Sequence, residues 1–334
     1  MPVRRRGYRR WEGELGSHRW TWLAILQNGL RLGMKQKQAA LVLWAAIPGA
    51  LFAGVVFYLL ALVARQEQGT VEASRFLRAL LQLLRLQGMR GPSVASMIVP
   101  TWHLVFFRLV NYQLLLILIV QAKFSADLVA GDLRANALPI YFSKPITVST
   151  YLLGKWLVAF LFASAVTLVP NLLAYAGGLL VSDTLVQLGR TAGLLWRLAA
   201  LSVVIAGVSS LVTLAISALF RDRRAVAVAW VALILLTSLA QGVFDENAAS
   251  DVAKGPAGAV SLYRTAMRFS YWVLDIDRAV EASGQRELLA GVAGSDVYGA
   301  GTNYACAVLV GLAVVALAIC MKRVHRFQVA AVNA

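Results

Sequence analysis

Across 334 residues, hydrophobic side chains make up 59% and charged ones only 14%, against roughly half and a quarter in soluble globular chains. That balance excludes an ordinary soluble enzyme and describes an integral membrane protein. The formal net charge of +16 raises nucleic acid as a partner, so where the charges sit matters more than their sum.

The chain opens on a basic arm, with Arg4, Arg5, Arg6, Arg9 and Arg10. No short apolar core or small-residue cleavage site follows, so it does not read as a cleavable signal. From Ser17, a candidate N-cap, Trp20, Leu23, Leu26, Leu30 and Met34 recur at helical spacing, with Arg19, Arg31, Lys35 and Lys37 elsewhere on the helix. An amphipathic, Trp-bearing, basic helix next to a span predicts a place in the membrane interface, its cations near anionic lipid headgroups. The alternative is a helix packed on the protein itself. Residues 1–38 thus form an arm and interfacial helix, and residues 39–334 a transmembrane domain.

Six apolar runs follow, at about residues 39–63, 98–120, 151–181, 194–220, 225–244 and 302–321. Each is long enough to cross about 30 Å of hydrocarbon. Pro48-Gly49 is expected to bend the first, and Asn171 to satisfy backbone groups that Pro170 frees in the third. A second amphipathic helix is expected around Phe76 to Arg85, in the segment between the first two spans. The region 245–301 is polar, but apolar pieces such as Tyr271-Trp272-Val273-Leu274 predict partly inserted outer helices before the sixth span. Cys306 and Cys320 fall on one predicted helix. Fourteen residues apart, they lie about 21 Å from each other at 1.5 Å per residue, too far for a bridge.

Charge placement orients the bundle. With the two termini, the loop after span two and the Arg221–Arg224 turn on one side, that side holds nineteen of the 32 Lys and Arg, and five acids. The other side holds twelve and eleven, and Arg108 lies within a span. Lys/Arg-rich sides are cytoplasmic, so both ends are predicted inside. The basic balance therefore reports topology, and no nucleic-acid partner is needed.

The loop between spans two and three runs from Lys123 to Lys155 and carries Asp127, Asp132, Arg134, Lys144 and Lys155. Hydrocarbon does not accept that charge density. Asp127 to Leu138 has helix-compatible spacing, and Pro139 is expected to stop the helix. The apolar cluster Ile140, Tyr141 and Phe142 then precedes Ser143-Lys144-Pro145, which turns the chain back. A short helix with an aromatic tip between two spans reads as a docking element.

Asp132, Ala137-Leu138, Ile140-Tyr141-Phe142, Ser143-Lys144-Pro145-Ile146 and Tyr151-Leu152-Leu153-Gly154-Lys155 together resemble the cytoplasmic loop of ABC-2-type transporter permeases. Lys144 stands where that family usually has Arg, and Asp132 where Glu is commoner. The resemblance implies an all-α membrane protein of six spans, whose loop forms a coupling helix resting on a separate ATP-binding subunit. It implies a second permease copy, ATP and Mg on the partner subunit, export of a substrate, and a place in the bacterial inner membrane. Asp127, Asp132, Arg134, Leu138, Tyr141, Phe142, Lys144 and Pro145 are then the expected partner-binding residues.

Span two also carries His103, Arg108 and Asn111. At about 100° per residue Arg108 and Asn111 share a face, and His103 falls off it. An Arg deep in a span is costly, and the three are candidates for a transport path or for ties within the bundle. Asp127 and Asp132 have no His or Cys nearby, so a metal site is not expected. No GxxxxGK[ST] phosphate loop occurs, so any ATP hydrolysis belongs to another chain. Two other classes stay open. One is a non-transporting anchor passing ATP-driven motion to an extracytoplasmic partner. The other is an ion-coupled carrier, which would need the intramembrane acids that the six spans lack.

Overall fold

The computed structural model describes residues 20–35, 44–67, 94–142, 146–182, 184–247, 260–282 and 302–332. In chain order these hold α1 (Thr21–Met34), α2 (Ile47–Glu67), α3 (Val94–Val120), a π turn (Gln121–Ser125), α4 (Asp127–Arg134) and α5 (Leu138–Phe142). After them come α6 (Val148–Val181), α7 (Thr184–Leu219), α8 (Arg223–Asn247), α9 (Leu262–Val273), α10 (Ile276–Ala282) and α11 (Thr302–Val332). No strand occurs among the described residues.

Five stretches are long and apolar enough to cross a membrane: Ile98–Arg134, Val148–Val181, Leu185–Leu219, Arg223–Val243 and Tyr304–Phe327. The chain is a multi-pass membrane protein. In the expected first span the structure describes α2, whose apolar part is the shorter Ile47–Leu62; residues 39–43 lie outside the described residues, as does the helix expected around Phe76. The fourth span begins earlier than expected, because residues 184–190, read as a loop, are already helical in α7. Cys306 and Cys320 are both free thiols.

The centre of the bundle is aromatic. Phe57 of α2 stacks on Trp102 of α3 at 4.4 Å, and Trp102 meets Tyr175 of α6 edge-on at 5.5 Å. Lipid tails are as apolar as these side chains, so close packing and buried hydrogen bonds must hold the helices together. One such bond chain crosses three helices: Gln113 of α3 donates to Asn171 of α6 at 2.9 Å, and Asn171 donates to Ser202 of α7 at 3.0 Å. Asn171 is structural, as expected, but its partners are side chains of neighbouring helices, where backbone groups freed by Pro170 had been expected.

In the region between the expected fifth and sixth spans the described residues form a segment of two helices, α9 and α10. Buried Met267, Phe269, Tyr271 and Leu274 seat it in the bundle, between α8 and α11, on both of which α9 packs. Ser261 caps α9 by accepting from the Arg264 N–H at 3.2 Å, and Tyr271 ties α9 to α10 by donating to Asp277 at 2.6 Å.

α1 packs along α6. A Cβ on Gly29 would come within 2.5 Å of Val158, and one on Gly33 within 2.5 Å of Phe162. One on Gly154 would come within 2.9 Å of Ile25. Positions four apart on α1 therefore match positions four apart on α6, and the two helices run side by side in one direction. The Gly29-x-x-x-Gly33 spacing lets the backbones approach that closely. Trp20, Leu32 and Met34 stay exposed on the rest of α1. The seam predicts that Gly33→Val, which forces Phe162 to move, lowers stability by about 1–3 kcal/mol. Thermal unfolding of the purified protein in detergent, compared with Gly189→Val at an open position, measures it.

Candidate functional site

The segment after α3 is continuous with it. Where a break was expected between span two and the helix beginning at Asp127, the chain runs on through the π turn and Ala126 into α4; Ala126 and, in α4, Val129, Ala130 and Leu133 are buried. A π turn breaks the i→i−4 ladder and leaves backbone groups in need of partners. Neighbouring helices supply them. Ser217 of α7 donates to the Ala126 carbonyl at 2.8 Å and accepts from the Val129 and Ala130 N–H groups at 3.1 and 3.0 Å. Arg223 donates to the Lys123 carbonyl at 2.8 Å, and Trp230 of α8 to the Leu118 carbonyl at 3.1 Å. Gln121 donates to Ser210 at 2.8 Å. α4 is thereby fixed to α7 and α8.

α4 ends earlier than the sequence predicts, and for a different reason. Asn136 adopts φ 51°, the left-handed conformation that Asn tolerates better than most residues. The Ala137 N–H then turns back to the Asp132 carbonyl at 2.9 Å. Pro139, expected to stop a helix, lies in the first turn of α5, where a missing N–H costs nothing.

The expected partner-binding residues divide into an inner and an outer set. Leu138 is buried, and Tyr141 and Phe142 lean inward on Tyr151 of α6, with ring centroids 5.6 and 6.0 Å away. Asp132 also turns inward: it accepts from the Tyr151 hydroxyl at 2.6 Å and pairs with Lys155 at 2.7 Å. Lys155 lies over the Tyr151 ring at 5.6 Å. Burial, and then the negative charge of Asp132, push the Tyr141 hydroxyl above its ordinary pKa, so it stays protonated at physiological pH. The outer set is Asp127 and Arg134, paired at 3.2 Å and well exposed, together with Ile140, 66% exposed at the tip. Lys144 and Pro145 lie outside the described residues. Sequence reasoning placed Ile140 in the apolar cluster but not among the contact residues; only the packing of its two neighbours singles it out.

His103, Arg108 and Asn111 do not form one site. His103 donates through Nδ1 to the Leu274 carbonyl at 2.5 Å, beside the Arg197–Asp275 ion pair of 3.0 Å. Asn111 accepts from the Tyr263 hydroxyl at the start of α9. Arg108 lies exposed on the flank of α3. His103 and Asn111 are thus ties to the α9–α10 segment. Among the described residues no group of His, Cys, Asp and Glu is arranged to hold a metal ion.

Compared with known proteins, the chain matches no family model and no curated sequence.

The Asp132–Lys155 pair is mostly but not fully shielded, with side-chain exposures of 17% and 13%. Its loss falls between the exposed and buried limits, so Lys155→Met is expected to cost about 2 kcal/mol. A double-mutant cycle with Asp132→Asn, followed by thermal or denaturant unfolding, reads the coupling directly. Arg134→Met, at the exposed pair, is expected to shift stability by less than about 0.5 kcal/mol.

Proposed function

We propose that this protein is the transmembrane permease subunit of an ATP-driven transporter of the ABC-2 type. The α4–α5 element would be the coupling helix on which a separate ATP-binding subunit acts. The observation that carries this reading is mechanical. A short helical element at one end of the bundle is locked to three spans and still presents an apolar tip. Ser217 holds α4 to α7, Arg223 holds the π turn just before it to α8, and the Asp132–Tyr151–Lys155 cluster holds α4 to α6. A push delivered at Ile140 would reach three spans with little slack.

The resemblance of the Lys123–Lys155 segment to the family's coupling loop supports the same reading. In it Ile140 is the anchor, Asp127 and Arg134 form a charged rim, and Lys144 and Pro145 extend the contact. Aromatic or aliphatic anchors within charged rims are what interfaces use for energy and specificity. Asp132, Leu138, Tyr141 and Phe142 act from inside, by holding the tip in place. The partner supplies ATP and Mg chemistry, a second permease copy completes the transmembrane unit, and the direction is export across a bacterial inner membrane.

A non-transporting anchor for an extracytoplasmic protein is the second reading: in the α9–α10 segment Tyr271 and Leu274 are buried in the bundle, while Trp272 stays exposed.

Ile140 supplies the test. Its side chain is exposed, so Ile140→Asp is expected to leave folding intact while weakening association with the candidate ATP-binding subunit by roughly tenfold or more. Co-purification from lipid and ATP turnover of the co-expressed pair are the readouts. Unchanged association and turnover in Ile140→Asp would remove the coupling assignment.

A further inference from the structure

A cleft of about 550 Å³ separates α1 from α4, with α6 as its floor, within the range of roughly 300–1,000 Å³ typical of ligand sites. Its lining changes character along its length. At one end Phe124 and Phe162 stack at 4.7 Å, beside Gly33 and the exposed Leu32. At the other end stand Asp132 with Lys155 and Asp127 with Arg134. The order follows from the chain: α4 leads away from Phe124, and α6 carries Lys155 two turns before Phe162. The apolar end therefore continues the face of the spans, and the charged end lies beside the proposed coupling element.

We infer that this cleft binds a phospholipid with a zwitterionic, amine-bearing headgroup, its acyl chains passing Leu32, Phe124 and Phe162. The charge pattern makes the choice. Two carboxylates face two cations, so the lining is neutral overall. An anionic headgroup satisfied by Arg134 would meet Asp127 about 3 Å away, an uncompensated repulsion. A phosphate with an attached ammonium instead meets both signs, phosphate on Arg134 and ammonium on Asp127. The pair is exposed and weakly coupled, so opening it to admit such a headgroup costs little. A primary ammonium can donate hydrogen bonds to the Asp127 carboxylate and a trimethylated one cannot, which favours phosphatidylethanolamine over phosphatidylcholine. A lipid here would bridge α1 and α4, which otherwise meet chiefly through α6.

The experiment uses the full chain alone in detergent, with no ATP-binding subunit, so its outcome is separate from that of the coupling assignment. Native mass spectrometry follows retention of phosphatidylethanolamine, phosphatidylcholine and phosphatidylglycerol with matched acyl chains. Retention of phosphatidylethanolamine is expected to exceed both others by roughly tenfold, the worth of one charge-assisted hydrogen bond. The paired change Asp127→Ala with Arg134→Ala is expected to level the three. Leu32→Trp, on an exposed position of α1, blocks the apolar end without touching the charges and is expected to abolish selective retention. Equal retention of phosphatidylglycerol or phosphatidylcholine by the wild type overturns the inference. So does an unchanged preference in either variant, or displacement of the bound lipid by soluble phosphoethanolamine at equal concentration.

Discussion

The constraint on which the structure depends is that no backbone polar group can be left bare where water is absent. It is felt most at the π turn after α3. There a regular span changes register, and its freed groups are met by Ser217, Arg223 and Trp230 from two other helices. Had the span ended in a plain loop, water would have met those groups and α4 could have moved independently. Because protein meets them, α4 moves only with α7 and α8. The irregularity is therefore what joins the end of one helix to the bodies of two others.

The second tie, through Asp132, has a different physical character. A lone carboxylate at 17% exposure would be costly, but a phenol and an ammonium share it. Their attraction is strengthened by partial burial and fixed in direction by the short hydrogen bond. α4 and the first turns of α6 thus approach along one defined line. Tyr151 serves two elements at once, since its hydroxyl holds α4 and its ring supports Tyr141 and Phe142 of α5. Removing that one side chain loosens both.

Much of this was legible in the sequence, because long apolar runs and dense charge between them are composition signals that survive without tertiary information. The five spanning stretches and a helical element after Asp127 belong to that class. What the sequence did not reveal depends on partners far along the chain. Pro139 looked like a helix stop, because its ring is incompatible with a helix interior; Asn136 had already ended the helix, so Pro139 fell where a proline is welcome. Asp132 looked like a surface charge because Tyr151 and Lys155 lie 19 and 23 positions away. The close approach of Gly29 and Gly33 to Val158 and Phe162 shows only in the folded chain. A hydrophobic stripe predicts that something apolar will be met, not whether it is lipid or protein: α1 rests on α6 with one face and leaves Trp20, Leu32 and Met34 exposed.

The placement of α9 has a consequence for biogenesis. This helix rests on α3, α7 and α8, made before it, and on α11, made after it. During synthesis α9 therefore lacks the α11 wall until that helix has been made. It carries buried Arg268 and Ser270 and is too short to span the bilayer, so it cannot be inserted as an independent helix. Its seat is complete only once α11 packs beside it. Loss of α11 would therefore expose α9 and the flank of α7, which makes the docking of α11 a late step of folding.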